Sequence, residues 1–114
     1  MIFVDTSFLL AVLNPRDTLH SRAQAWAVSI AESLLVTEYV VWEMVNSLSL
    51  PADRPKAHSA LQAIQTASDW EWVPASKSLF AAGMQLHRER DDKSWFLTDC
   101  ISFQVMQQRN RALW

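Results

Sequence analysis

Short apolar runs alternate along this chain with longer stretches whose apolar residues recur every three or four positions. Ile2-Phe3-Val4 is the first such run, and Asp5-Thr6-Ser7 ends it with helix-opening side chains. This predicts a strand, then a helix through Leu13 that stops at Asn14-Pro15. From Leu19 to Glu32, Ala23, Trp26, Ala27 and Ile30 keep helical spacing, and Leu34-Leu35-Val36-Thr37 is the second short run. Tyr39 to Leu48 reads as helix, Pro51 opens a linker, and Arg54 to Ala67 reads as helix with Leu61 and Ile64 inward. Trp70-Glu71-Trp72-Val73-Pro74 is the third strand. Helices from about Ser76 to Arg90 and from Thr98 to about Arg109 follow, separated by the polar connector Asp91-Asp92-Lys93, and Ala112-Leu113-Trp114 is a last apolar stub. Repeated strand-helix units predict an α/β fold with a parallel sheet covered by helices. Ligands of such sheets gather at the carboxyl ends of the strands, which makes the position of Asp5 informative.

Composition narrows the chemistry. The chain has 114 residues, 50% hydrophobic and 19% charged, which suits one core, and no Gly/Ser/Pro-rich linker divides it, so residues 1–114 read as a single domain. One glycine, Gly83, excludes the Gly-rich phosphate cradles of nucleotide-binding folds. One cysteine, Cys100, excludes an internal disulfide and a Cys-cluster zinc site, and points to a reducing compartment, the cytoplasm. Cys100 reads as a small buried residue whose pKa Asp99 would raise, not as a nucleophile. The longest uncharged stretch, Ala57 to Ser68, falls well short of the ~20 apolar residues of a membrane helix. The start lacks the basic region of a secretory signal and reads as mature protein. His20, His58 and His87 are scattered without ligand spacing, which argues against zinc. A net charge of -2 argues against broad affinity for nucleic acid. It leaves local patches at Arg16, Arg22 and Arg88/Arg90/Lys93, for which a solvated face is the alternative.

Three acids stand at special places. Asp5 ends the first strand, Glu43 lies inside the apolar helix Val40-Val41-Trp42-Glu43-Met44-Val45-Asn46, and Asp99 follows Thr98, read as the N-cap of the last helix. Each has a bland alternative: Asp5 as a helix cap, Glu43 on a solvated stripe, Asp99 complementing a helix dipole. Asn46-Ser47, three and four residues after Glu43, favour a polar patch facing a cleft. Clustered carboxylates suit Mg²⁺ or Mn²⁺, hard cations that take oxygen ligands and keep waters, and such sites favour phosphodiester hydrolysis by a metal-activated water.

The start Ile-Phe-Val-Asp5-Thr-Ser, the helix segment Glu43-x-x-Asn46 and the stretch Asp92-Lys-Ser-Trp95-Phe-Leu-Thr-Asp99-Cys100-Ile-Ser-Phe103 resemble PIN-domain ribonucleases, the VapC-type toxins of type II toxin-antitoxin pairs. The resemblance covers essentially the whole chain. It implies a PIN-like three-layer αβα sandwich and assigns Asp5, Glu43 and Asp99 as the catalytic, metal-binding acids. Thr6 or Ser7 would help hold Asp5, and Asn46 would line the same groove. It further implies a homodimer, an RNA substrate and a small antitoxin as inhibitor. Family members continue through a fourth strand that delivers a fourth acid in a pattern like Ala-Leu-Thr-x-Asp, whereas this sequence ends at Ala112-Leu113-Trp114. The resemblance therefore implies a truncated fourth strand without its acid, lowered activity and an exposed sheet edge that favours pairing with another chain. Asp92 is a possible extra acid, with a solvated connector as its alternative.

The rival function is a truncated, catalytically weak or inactive PIN-like module that binds an antitoxin or RNA. A phosphoacceptor role for Asp5 is weaker, because Ser7 stands where a second Asp would be needed. The six tryptophans read mostly as core or dimer-interface residues, with Trp42 and Trp95 as candidates for stacking on bases.

Overall fold

In the computed structural model the described residues are 1–109 together with the backbone of 112–113. Strand β1 (Ile2–Phe3) leads into α1 (Thr6–Leu13) and α2 (His20–Ser29), and β2 (Leu34–Thr37) into α3 (Glu38–Ser47) and α4 (Arg54–Thr66). Strand β3 (Trp70–Val73) is followed by α5 (Lys77–Glu89), α6 (Leu97–Arg109) and β4 (Ala112–Leu113). All three apolar runs form strands, and the stub at 112–113 adds a two-residue fourth. Trp114 lies outside the described residues.

The sheet is parallel throughout, in the order β3-β2-β1-β4. Ile2 pairs with Leu34 on one side and with Ala112 on the other. The chain therefore winds outward from β1 to β3 and then returns to the opposite side of β1. Parallel crossovers are right-handed almost without exception, and with this strand order that rule puts the helices between β1 and β3 on one face and the α5–α6 pair on the other, the αβα layering of the PIN-like fold. Covered on both faces, β2 is buried at every position, as its unbroken apolar run requires. Phe3, Val4, Leu35 and Val36 form the centre of the core, each contributing about 1.5–3 kcal/mol by leaving water.

Local chemistry sets the helix ends. Thr37 is fully buried, yet its hydroxyl is satisfied by capping α3, accepting from the Val40 N–H at 3.2 Å. Ser76 caps α5 in the same way through Leu79 N–H. Helix α2 stops at Ser29, three residues before the predicted end, because Ile30 takes an extended backbone and Ser29 Oγ donates back to the Trp26 carbonyl. The long α5–α6 contact depends on Gly83, where a Cβ would sit 2.3 Å from Ile101 Cγ1. Among the described residues no helix is long and apolar enough to cross a membrane.

Candidate active site

The reversal of winding falls between β1 and β4, so the crevice at the carboxyl end of β1 is the switch point where open α/β sheets bind ligands. Asp5 stands there. Its backbone is extended and its Oδ1 accepts from Phe8 N–H at 3.0 Å, capping α1. Cap and site residue are thus one carboxylate, fixed by its own helix.

Glu43 comes from α3, the helix that leaves the carboxyl end of β2. Its Oε1 accepts from Thr6 Oγ1 at 2.7 Å, across two elements. Thr6 therefore holds Glu43, whereas the hydrogen bond to the Asp5 carboxylate comes from the Phe8 amide. Asp99 comes from the first turn of α6. The helix begins at Leu97, with the Phe96 carbonyl accepting from Cys100 N–H and Asp99 Oδ2 accepting from Phe96 N–H at 3.0 Å. Asp99 thus caps α6 from inside its first turn, as in a capping box, and Thr98 is a helical residue beside it instead of the N-cap.

These three acids line one pocket of about 510 Å³. Thr6, Ser7, Asn46 and Thr98 line it too, so every acid and supporting residue read from the motifs faces the same space, Asp92 excepted. Asp92 is held by Arg90, which donates to both its carboxylate oxygens at 3.0 and 3.1 Å, and this lowers the Asp92 pKa. Ser47, Ser102 and Phe96 complete the polar and aromatic lining. Ser102 follows Asp99 by one helical turn, the spacing that could have revealed it, whereas nothing in the sequence singles out Phe96. Cys100 is fully buried, and burial first, then the Asp99 charge, push its thiol pKa up.

Whether the pocket fits a cation follows from its donors. All three acids offer hard oxygen, and each spends one named oxygen on a hydrogen bond. Among the described residues, however, no three His, Cys, Asp or Glu side chains gather tightly enough to enclose an ion. The donor set therefore suits Mg²⁺ or Mn²⁺ held by one or two carboxylates with water completing the shell, the habit of Mg²⁺, and not a fully protein-ligated ion.

A second cavity of about 510 Å³ runs between α1 and α2 and shares Asp5 and Ser7 with the first. Its remaining walls are Phe8, Ala11, Leu19, Ala23 and Trp26, with Arg22 at the edge. Phe8 and Trp26 meet edge to face at 5.7 Å.

The PIN domain family matches the chain over residues 2–113. The fold is similar to that of VapC20 of Mycobacterium tuberculosis, a Sarcin-Ricin loop cleaving toxin, with a TM-score of 0.88 and 24% identity, covering 97% of this chain and 85% of that one. It is also similar to a toxin-antitoxin complex from Klebsiella pneumoniae (TM-score 0.69, 15% identity, 99% and 83% covered). A third similar structure is FitAcB from Neisseria gonorrhoeae (TM-score 0.67, 16% identity, 99% and 85% covered). No curated protein matches the sequence. With the family matched over nearly its whole length, this chain belongs to the PIN domain family.

Proposed function

We propose that this protein is a divalent-metal-dependent endoribonuclease acting in the cytoplasm as the toxin of a toxin-antitoxin module. The observation that carries this reading is the convergence of Asp5, Glu43 and Asp99, from three separate elements, on one polar pocket at the switch point of the sheet. A bound Mg²⁺ or Mn²⁺ supplies an acidified water and neutralises charge on the phosphate oxygens. The chain's own part is positioning. Asp5 and Asp99 are held by amides of their own helices, and Glu43 by the Thr6 hydroxyl, so each presents a fixed carboxylate to the pocket. Asn46, Ser47 and Ser102 offer neutral hydrogen-bonding groups that can orient a water or a sugar hydroxyl without adding charge.

The likeness to toxin-antitoxin structures supports an antitoxin partner, and the apolar cavity beside Asp5 gives a partner somewhere to bury apolar side chains. A homodimer belongs to the same reading.

Purified protein incubated with mixed RNA, including a Sarcin-Ricin loop oligonucleotide, tests the proposal. Cleavage should require Mg²⁺ or Mn²⁺, stop with EDTA and disappear in the Asp5→Asn, Glu43→Gln and Asp99→Asn variants. That no three such side chains gather closely enough to enclose an ion among the described residues favours one second reading, a PIN-like module that binds antitoxin or RNA without cutting it. A folded chain that binds RNA or antitoxin but cleaves nothing in either metal would establish that alternative.

A further inference from the structure

The segment ahead of α6 carries a feature that the acids do not explain. Phe96 lines the acid pocket, yet its side chain is 72% exposed. Single exposed apolar residues are common, so exposure alone means little. Position is what counts here: the Phe96 amide is bound to Asp99, so the ring is set at a fixed place on the rim beside that acid. Trp95, next in the chain, packs edge to face on Phe103 at 4.8 Å. The Arg90 guanidinium and the Lys93 ammonium lie 5.2 and 5.9 Å from the centre of a Trp95 ring. Arg90 is neutralised by Asp92, whereas Lys93 has no ion pair among the described residues. An exposed aromatic side chain on the lip of a carboxylate pocket and, three residues earlier in the same segment, a positive charge without an ion pair among the described residues are therefore carried together.

A ligand that uses all three needs a flat apolar face, a negative charge and a group on which the acids can act. An unpaired nucleotide meets these needs, since bases stack on aromatic side chains and phosphates seek ammonium groups. An apolar side chain of a protein partner would use the Phe96 ring but not the charge of Lys93 three residues before it.

We propose that Phe96 is a stacking platform for the unpaired base beside the scissile phosphate, with Lys93 contacting a flanking phosphate. Phe96 is thus a positioning and specificity residue, and the proposal rests on the ribonuclease reading above.

Two measurements on the full chain test this and separate it from the nuclease reading. The first is binding of single-stranded RNA carrying 2-aminopurine at successive positions, followed by fluorescence in EDTA. The second is metal-dependent cleavage of the same RNA, intact or abasic at the position that responds. The Phe96→Leu variant should lose the fluorescence response and raise KM roughly 10-fold, a typical loss for one base-aromatic stack, with kcat unchanged. Phe96→Trp should restore both. The abasic RNA should cost the wild-type chain the same factor and cost the Phe96→Leu variant nothing more. Equal KM in wild type and Phe96→Leu, or penalties that simply multiply, would overturn the platform and leave the nuclease standing. Phe96-dependent binding without cleavage would leave the platform and remove the nuclease, and absence of both would remove both.

Discussion

Two cavities of the same size, each about 510 Å³, meet at Asp5 and Ser7, and they differ in almost everything else. One carries three carboxylates, hydroxyls and an amide beside Leu10, Val40 and Phe96, drawn from α1, α3, α6 and the residues that lead into α1 and α6. The other is walled by Phe8, Ala11, Leu19, Ala23 and Trp26 from α1, α2 and the residue before it. Volume therefore says nothing about which of them does chemistry. What separates them is that the starts of α1 and α6 and the C-terminal half of α3 converge on the first, bringing fixed acids and polar side chains, while the second is a seam between two helix sides. Asp5 belongs to both because a cap residue sits at the end of its helix, between the axis and the flank.

The sharpest way to break this contrast is to change Asp5 while keeping its cap. Asn caps helices as well as Asp, so Asp5→Asn should leave thermal stability unchanged yet lower RNA cleavage by more than the roughly 10–100-fold lost on removing an outer-shell partner. Asp5→Ala should lose the same activity and in addition about 1 kcal/mol of stability, read by denaturant unfolding. If the two variants matched in stability, the cap would be incidental.

A smaller effect comes from Gly83. Its Cβ would strike Ile101, two residues beyond Asp99, so Gly83→Ala should cost about 1–3 kcal/mol of stability and reduce cleavage by displacing the start of α6. The apolar cavity, which has no wall from α6, should keep its shape. Thr6→Val removes the hydroxyl that holds Glu43 and should slow cleavage about 10-fold, with Thr6→Ser close to wild type. The least effect is expected at Leu19, half exposed on the apolar cavity: Leu19→Ser should change stability by no more than about 0.5 kcal/mol and leave cleavage untouched. A large loss of cleavage there would mean that the two cavities act as one.

The fold was legible because β1 and β2 are short apolar runs and because α1, α3, α4 and α5 start at Asp5, Thr37, Asp53 and Ser76. Leu34 to Thr37 is buried at every position, so composition alone marks it. The end of α2 was misread because Ala31 and Glu32 give no apolar signal of their own, and the backbone had already turned at Ile30. The acids were legible as a motif, but their holders were not. Thr6 and Glu43 are 37 positions apart, and no spacing rule ties a hydroxyl on one helix to a carboxylate on another. Asp92 attracted attention as an acid near the motif, whereas its geometry is decided by an arginine two residues earlier. Phe96 went unnoticed because an aromatic ahead of a helix is ordinary in sequence and becomes notable only on the rim of a pocket.

The register of β1 also sets a schedule. Its residues are made before those of both neighbours, β2 and, 110 positions after Ile2, β4. The acids follow the same order: a ribosome that has made Asp5 and Glu43 has still to make the helix that carries Asp99. Until that helix is made the pocket lacks one of its three acids, so the site cannot be complete before synthesis has passed Asp99.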